Sequence, residues 1–145
     1  KIESLDHLYI NLANLTSLNL RGNNLKEIKR NQIENLTKLY YFDLGWNNIE
    51  SIDENLFYDF IDLEYLDLSN NNLKEIKQKS FANLKNLTGL YLQGNQIESI
   101  NENLFANLVN LRSLHISRNK FHEIKQNTFK NLTKLEFLQL GSNLL

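Results

Sequence analysis

The chain has 145 residues, 41% of them hydrophobic, and a formal net charge of −1. This length and composition are typical of one globular domain, and the near-neutral charge provides no attraction to nucleic acid. No apolar stretch is long enough to span a membrane, so we expect no nucleic-acid partner and no membrane insertion of this segment.

One phrase, L-x-x-L-x-L-x-x-N-x-L, recurs every 24 residues along the chain. Its opening residues are Leu15, Leu39, Leu63, Leu87, Leu111 and Leu135. A fixed period of this length predicts a solenoid, in which each repeat forms one coil and buries its apolar side against neighbouring coils. Such a protein offers an extended surface, which favours binding over catalysis.

The repeats organise residues 1–145 into one predicted domain. Five complete repeats are expected, at 15–38, 39–62, 63–86, 87–110 and 111–134. Residues 1–14 and 135–145 match parts of a repeat, and neither shows the polar cap that the end of a solenoid normally carries. We therefore expect the chain to begin and end within a repeat.

Inside each repeat the apolar pattern changes from a strand to an irregular return. The x-L-x-L segment alternates between two faces, which predicts a short strand, and equivalent strands then pair in parallel. The return carries one bulky apolar residue per repeat: Ile33, Phe57, Phe81, Phe105 and Phe129. The predicted fold class is an α/β repeat solenoid, with a curved parallel β-sheet on the concave side and irregular, short helical or 3-10 segments on the convex side.

An asparagine recurs at a position that turns into the core, as at Asn47, Asn71 and Asn95. A buried amide must be hydrogen-bonded, and in a stack of coils it can reach backbone groups of the adjoining turns. We interpret this column of asparagines as structural.

The phrase from Leu15 to Leu25, the asparagine column and the F-x-N-L-x-x-L segment at 81–87 resemble the 24-residue "typical" leucine-rich repeats of animal extracellular proteins. Toll-like receptor ectodomains and secreted insect immune leucine-rich repeat proteins belong to that family. The resemblance covers residues 1–145. It implies an extracellular location, in a secreted protein or a receptor ectodomain, and recognition of a protein or peptide in innate immunity or adhesion.

Residues beside the strand leucines point to the concave face, and aromatic residues gather there over repeats 2 to 4. Aromatic side chains contribute much of the energy of recognition surfaces. We predict a protein- or peptide-binding patch formed by Tyr40, Tyr41, Asp43, Trp46, Tyr65, Asp67, Tyr91, His115, Arg118 and Phe137. Gly89 lacks a side chain beside Tyr65 and Tyr91, which predicts a notch there. The alternative is that these aromatics only pack against each other across strands, at about 0.2–1 kcal/mol per pair.

Two other functions stay open. The segment could set the curvature of a longer receptor, or the chain could form a homodimer through its apolar ends. Catalysis is not expected, because His7, His115 and His122 are far apart in the repeat map and no cysteine or glycine-rich phosphate loop occurs. Asp43 and Asp67 are neighbours, but two carboxylates alone make a poor cation site. We expect no enzyme activity, no metal and no cofactor.

Four N-x-T sequons are present, at Asn14, Asn35, Asn86 and Asn131. Such sequons are acceptors for N-glycosylation in secreted proteins. They fall in two repeat columns where the phrase already places Asn-Leu, so their occurrence also has a structural explanation. Asn35 and Asn131, on the convex side, are predicted to be the more accessible pair.

Overall fold

A computed structural model of the chain describes residues 1–6 and 12–145. Its elements are β1 (Ser17–Asn19), α1 (Arg30–Ile33), β2 (Tyr41–Asp43), β3 (Tyr65–Asp67), β4 (Gly89–Tyr91), β5 (Ser113–His115) and β6 (Phe137–Gln139). The strands form one sheet in chain order and pair in parallel, with each residue opposite the one 24 positions later. The predicted parallel strands are confirmed.

The middle residue of each strand points into the core. Leu18, Leu66 and Leu90 are buried at this position, as the alternation of the sequence predicts. Burial decreases at β6, where Leu138 is 39% exposed. The cause is its place at the edge of the sheet, because β5 is its one neighbouring strand among the described residues.

The convex side consists of α1 and hydrogen-bonded turns, as predicted. The helix is one turn long and begins after Lys29, whose N–H donates to the side chain of Gln32 at 2.8 Å. Elsewhere the return follows turns such as the one closed by the N–H of Leu56 and the carbonyl of Asp53. No helix of the described residues is long and apolar enough to cross a membrane.

The spacing of buried rings shows why the sheet lies on the inner, concave side. Phe57 and Phe81 stack with ring centroids 6.3 Å apart, and Phe105 and Phe129 are 6.2 Å apart. Neighbouring strands are only about 4.8 Å apart. Because the convex side is spaced more widely than the sheet, the stack of coils bends towards the sheet.

The asparagine column joins successive coils, as predicted. Nδ2 of Asn71 donates to the carbonyl of Leu44 in the preceding coil at 3.0 Å and to that of Leu68 in its own coil at 3.1 Å. Its Oδ1 accepts from the N–H of Ile49 at 3.0 Å. One buried amide therefore bonds backbone groups of two successive coils, and the carbonyls of Leu44 and Leu68 each accept a second bond from the neighbouring Asn47 and Asn95.

Candidate functional site

The concave face carries a row of rings in contact, formed by Tyr41, Tyr65, Tyr91 and His115 and here named the aromatic ladder. Ring centroids are separated by 4.5 Å between Tyr41 and Tyr65, 4.8 Å between Tyr65 and Tyr91, and 4.7 Å between Tyr91 and His115. All four side chains are half-buried. The register accounts for the two ends of the row, since Tyr41 lies opposite Tyr65 and Tyr91 lies opposite His115.

Gly89 lets the ladder pass from one column of the sheet to the next. Tyr65 lies opposite Gly89, so the position directly across from it in β4 carries no side chain. The ring of Tyr91 lies over this position, because a Cβ on Gly89 would be 3.0 Å from Cε2 of Tyr91 and 3.6 Å from Cδ2 of Tyr65. The predicted notch is therefore wrong, since the Tyr91 ring fills it.

A charged cluster of Arg21, Asp43 and Asp67 lies at the ends of β1, β2 and β3. Nη1 of Arg21 is 2.9 Å from Oδ2 of Asp67 and 3.5 Å from Oδ1 of Asp43. The predicted acidic flank is not exposed, because Asp43 and Asp67 are both buried while the Arg21 side chain is 43% exposed. Arg21 is thus the cation that both carboxylates bind, and it links three successive coils.

Backbone hydrogen bonds fix the two carboxylates. Oδ1 of Asp43 accepts from the N–H of Gly45 at 2.9 Å, and Oδ1 of Asp67 accepts from the N–H of Ser69 at 2.7 Å. A Cβ on Gly45 would be 2.7 Å from Nη1 of Arg21. Gly45 therefore provides the space through which Arg21 crosses the second coil.

The tyrosines nearest this cluster are held in their protonated form. Burial, and then the charge of Asp43, raises the pKa of Tyr41. Burial, and then the charge of Asp67, raises the pKa of Tyr65. The hydroxyl of Tyr41 donates to Oδ2 of Asp43 at 3.4 Å. This part of the concave face therefore presents neutral phenols beside buried carboxylates.

One residue per coil has a left-handed backbone conformation, three positions after its strand. These residues are Gly22, Trp46, Asn70, Gly94, Arg118 and Ser142. Glycine adopts this conformation readily, whereas a residue with a Cβ pays about 1–2 kcal/mol. Trp46, at φ 54°, and Arg118, at φ 52°, are the bulkiest of the six.

Trp46 stands apart from the aromatic ladder. Its side chain is 58% exposed, and its indole makes no ring contact with any residue that the structure describes. Residues with a strained backbone conformation occur preferentially at functional sites. Trp46 is therefore the residue of the patch that packing explains least.

The remaining predicted residues lie on the same face but do not join one cluster. Tyr40 is 49% exposed just before β2, and Phe137 is 63% exposed in β6. Arg118 is exposed in the same column as Trp46, three coils further along. The structure thus joins Tyr41, Tyr65, Tyr91 and His115 but leaves these other side chains separate.

The family model of the BspA-type leucine-rich repeat region, in six copies, matches residues 5–144. The chain belongs to the leucine-rich repeat family. The resemblance drawn from the 24-residue phrase is confirmed, as is the fold class, although the sequence analysis did not name the BspA type.

A solved structure supports the same assignment. The leucine-rich repeat chain superimposes with a TM-score of 0.82 on a chain of the Toll–Spatzle complex, a molecular hub in Drosophila development and innate immunity, in its glycosylated form. Sequence identity is 27%, and the match covers 88% of this chain and 19% of that chain. Our chain thus spans about a fifth of the length of the structure that it matches. No curated protein matches it in sequence.

Leucine-rich repeat solenoids are non-enzymatic scaffolds. One pair of side chains on the sheet, a serine and a histidine, resembles part of a catalytic triad. Oγ of Ser113 lies 2.9 Å from Nε2 of His115, a pair missed from the sequence. Among the described residues no carboxylate hydrogen-bonds to His115, so the arrangement lacks the third group of a catalytic triad. His122 is exposed elsewhere, and His7 lies outside the described residues.

Sequence reasoning also missed Arg21 and Gly45 as members of this leucine-rich repeat site. One signal was available: Asp43 and Asp67 occupy adjacent coils in one column, and two neighbouring carboxylates require a counter-charge. The reach of Arg21 across two coils could not be read from the sequence, because it depends on the space above Gly45.

The four sequon asparagines are all exposed: Asn14, Asn35, Asn86 and Asn131. Three of them use their amides to join coils, and in the first of these bonds Oδ1 of Asn14 accepts from Nζ of Lys38 at 2.7 Å. Nδ2 of Asn86 donates to the carbonyl of Ile61 at 3.1 Å, and Nδ2 of Asn131 donates to that of Ala106 at 3.0 Å. These bonds support the structural explanation of the asparagine columns.

Proposed function

We propose that this leucine-rich repeat segment is a non-enzymatic recognition module that binds a protein or peptide through its concave face around Trp46. The observation that carries the proposal is Trp46 itself, the only tryptophan of the chain, which is exposed on a left-handed backbone. Large aromatic side chains dominate the binding energy of protein interfaces. A contact made only with a partner would compensate for the strain.

The other residues of the patch divide into supports and contacts. Tyr65 lies between two rings and beside buried carboxylates, so it keeps the sheet face rigid. Tyr40 and Phe137 are exposed and available to a partner. A rigid face reduces the entropy lost on association, which supports recognition by a preformed surface.

Peptide selection tests this proposal. Peptides of about ten residues, extended at about 3.3 Å per residue and so long enough to cross the sheet, are selected from a random library on the full chain. Trp46→Gly is expected to weaken their binding at least about tenfold, which is the loss typical of a hot-spot residue. The control Tyr58→Ala removes an exposed tyrosine outside the strands and should leave affinity unchanged. Equal loss in both variants, or in neither, contradicts the proposal.

Homo-association is a second candidate, favoured by β6. Phe137 and Leu138 are exposed at the edge of the sheet, where another strand could pair. Light scattering coupled to size exclusion, over a wide concentration range, tests this candidate. A mass that increases with concentration supports it, and a monomer throughout contradicts it. The third candidate, a purely architectural segment, predicts that Trp46→Gly changes no binding.

We further propose that the segment works outside the cell, in innate immunity or adhesion. The likeness to a chain of the Toll–Spatzle complex supports this setting, and so do the exposed sequons. Expression through a eukaryotic secretory pathway should add glycan mass, and Asn35→Gln should remove part of it. An unmodified mass after secretion would contradict glycosylation without affecting the binding proposal.

A further inference from the structure

The concave face holds an excess of negative charge over coils 1 to 3. The cluster described above contains two carboxylates, Asp43 and Asp67, and one guanidinium, Arg21. Glu64, exposed just before β3, forms no ion pair with any described residue. The two buried carboxylates share one guanidinium, so with Glu64 this part of the face carries two more negative charges than positive ones.

The burial of Asp43 and Asp67 gives their excess charge a longer reach than that of a surface carboxylate. Their exposures are only 3% and 4%, so water screens them poorly. The raised pKa values of Tyr41 and Tyr65, which are due partly to these carboxylates, show the same negative potential at neighbouring side chains.

The aromatic groups differ in what they can offer to a ligand. Tyr65 lies between the rings of Tyr41 and Tyr91, so it presents mainly its edge to solvent, and one face of Tyr41 is covered by Tyr65. An aromatic edge carries partial positive charge, whereas an aromatic face is negative and attracts cations. The indole of Trp46 stacks on no described ring, and no described Arg or Lys lies over it. Tryptophan is the best cation–π partner among the aromatic side chains.

Charge and geometry therefore agree on one kind of partner. We propose that the concave face selects an extended peptide segment of a partner protein through a basic side chain, which lies on the indole of Trp46 and faces the carboxylates of Asp43 and Asp67. Arg21 neutralises one of these carboxylates, and the partner's cation neutralises the other. This inference rests on the proposed function and names the chemistry of the partner.

The position of Arg118 along the sheet predicts the orientation of the bound peptide segment. Arg118 is exposed three coils beyond Trp46 and forms no ion pair with any described residue. With strands about 4.8 Å apart, the two side chains are attached about 14 Å from each other. An extended segment spans that distance with about four residues, so an acidic residue about four positions from the basic one would meet Arg118.

The composition of selected peptides tests the partner class. Peptides taken from a random library on the full chain should share an Arg or Lys, and replacing that residue with Gln should weaken binding about tenfold or more. Asp43→Asn, which keeps the size of the side chain, should weaken the same peptides about fivefold to tenfold. The control Glu102→Gln removes an exposed carboxylate on the convex side and should leave their affinity unchanged.

The outcomes separate this inference from the proposed function. Selected peptides that lack a basic residue but still bind more weakly to Trp46→Gly would overturn the partner class and leave concave recognition standing. If neither Trp46→Gly nor Asp43→Asn changes the affinity of the selected peptides, or if the library yields no binder, the partner class and the proposed function are both overturned. Unfolding curves that show both variants fully folded under the binding conditions exclude loss of folding as the cause of weaker binding.

Discussion

At the scale of the residue, Trp46 is a side chain that folding alone does not explain. Its backbone conformation is one that glycine adopts in the equivalent positions Gly22 and Gly94. Its indole packs on no described ring, so the side chain contributes little to the core that can be seen. An exposed side chain that strains its backbone and stacks on no described ring is best explained by a contact outside the chain.

We therefore expect Trp46→Gly to keep or raise stability. Relief of about 1–2 kcal/mol of backbone strain exceeds the loss of about 0.4–1 kcal/mol from the more flexible unfolded chain. Chemical denaturation should give a free energy of unfolding that is unchanged or higher by up to about 1 kcal/mol. Asn70→Gly, at the same position of the next coil, should gain less, because asparagine tolerates this conformation better. A fall of more than about 1 kcal/mol for Trp46→Gly would show that the indole is structural.

Gly45 and Gly141 form a matched pair for testing the Arg21 cluster. An added Cβ at Gly45 would lie 2.7 Å from Nη1 of Arg21, 3.1 Å from Asp43 and 3.2 Å from Asp67. At Gly141, in the same repeat column four coils beyond Gly45, nothing lies within 4 Å of such a Cβ. Gly45→Ala is expected to displace the guanidinium and lower stability by about 1–3 kcal/mol, since buried carboxylates lose a partner. Gly141→Ala should unfold like the parent chain. If both substitutions lower the free energy of unfolding equally, the effect of Gly45→Ala does not come from the Arg21 cluster.

Residue chemistry marks the limit of what the sequence could predict. The concave placement of Tyr41 and Tyr65 followed from strand alternation alone. The burial of Asp43 and Asp67 did not, because it depends on Arg21, which lies one coil from Asp43 and two coils from Asp67. The position of the Tyr91 ring over Gly89 could not be predicted either, because the sequence does not show the direction of a side chain along the sheet.

At the scale of the element, the side chains of the asparagine column hydrogen-bond neighbouring coils to each other. Asn71→Ala leaves the buried N–H of Ile49 without its partner, and it removes one of two asparagine bonds from each of the carbonyls of Leu44 and Leu68. At about 1–3 kcal/mol for a buried unpaired group, we expect a loss of about 2–4 kcal/mol in the free energy of unfolding. Asn143→Ala, at a half-buried position of the last coil, should cost clearly less, because water can replace its bonds. Equal losses at the two sites would contradict the role of burial.

The aromatic ladder makes stability sensitive to high pH. Tyr65 has a raised pKa in the folded chain against an ordinary value of 10.0, so only the unfolded chain releases this proton as the pH passes 10. The stabilising contribution is complete below about pH 10 and declines above it. Comparison of unfolding free energies at about pH 9 and about pH 11 should show a smaller decline in Tyr65→Phe than in the parent chain. The exposed Tyr40→Phe serves as the control, and an identical decline in Tyr65→Phe would exclude the ladder as its source.

At the scale of the whole molecule, the period of the sequence determines the fold almost completely. A spacing of 24 residues predicts both the parallel sheet and the residues that face each other across it, as Tyr41 and Tyr65 do. The curvature follows from bulky rings on one side and strands on the other, at 6.3 Å for Phe57 and Phe81. What a period cannot predict is a contact between residues two coils apart, or a partner that lies outside the chain.

The central claim is that the concave face around Trp46 meets a partner, and the fluorescence of this residue tests it most directly. Trp46 is the only tryptophan, so its emission reports this one position. On titration with a selected peptide, the emission should change and saturate at the concentration where calorimetry places binding, because the exposed indole loses water. A peptide that calorimetry shows to bind while the emission of Trp46 stays constant would contradict the account, since the partner would then occupy another surface.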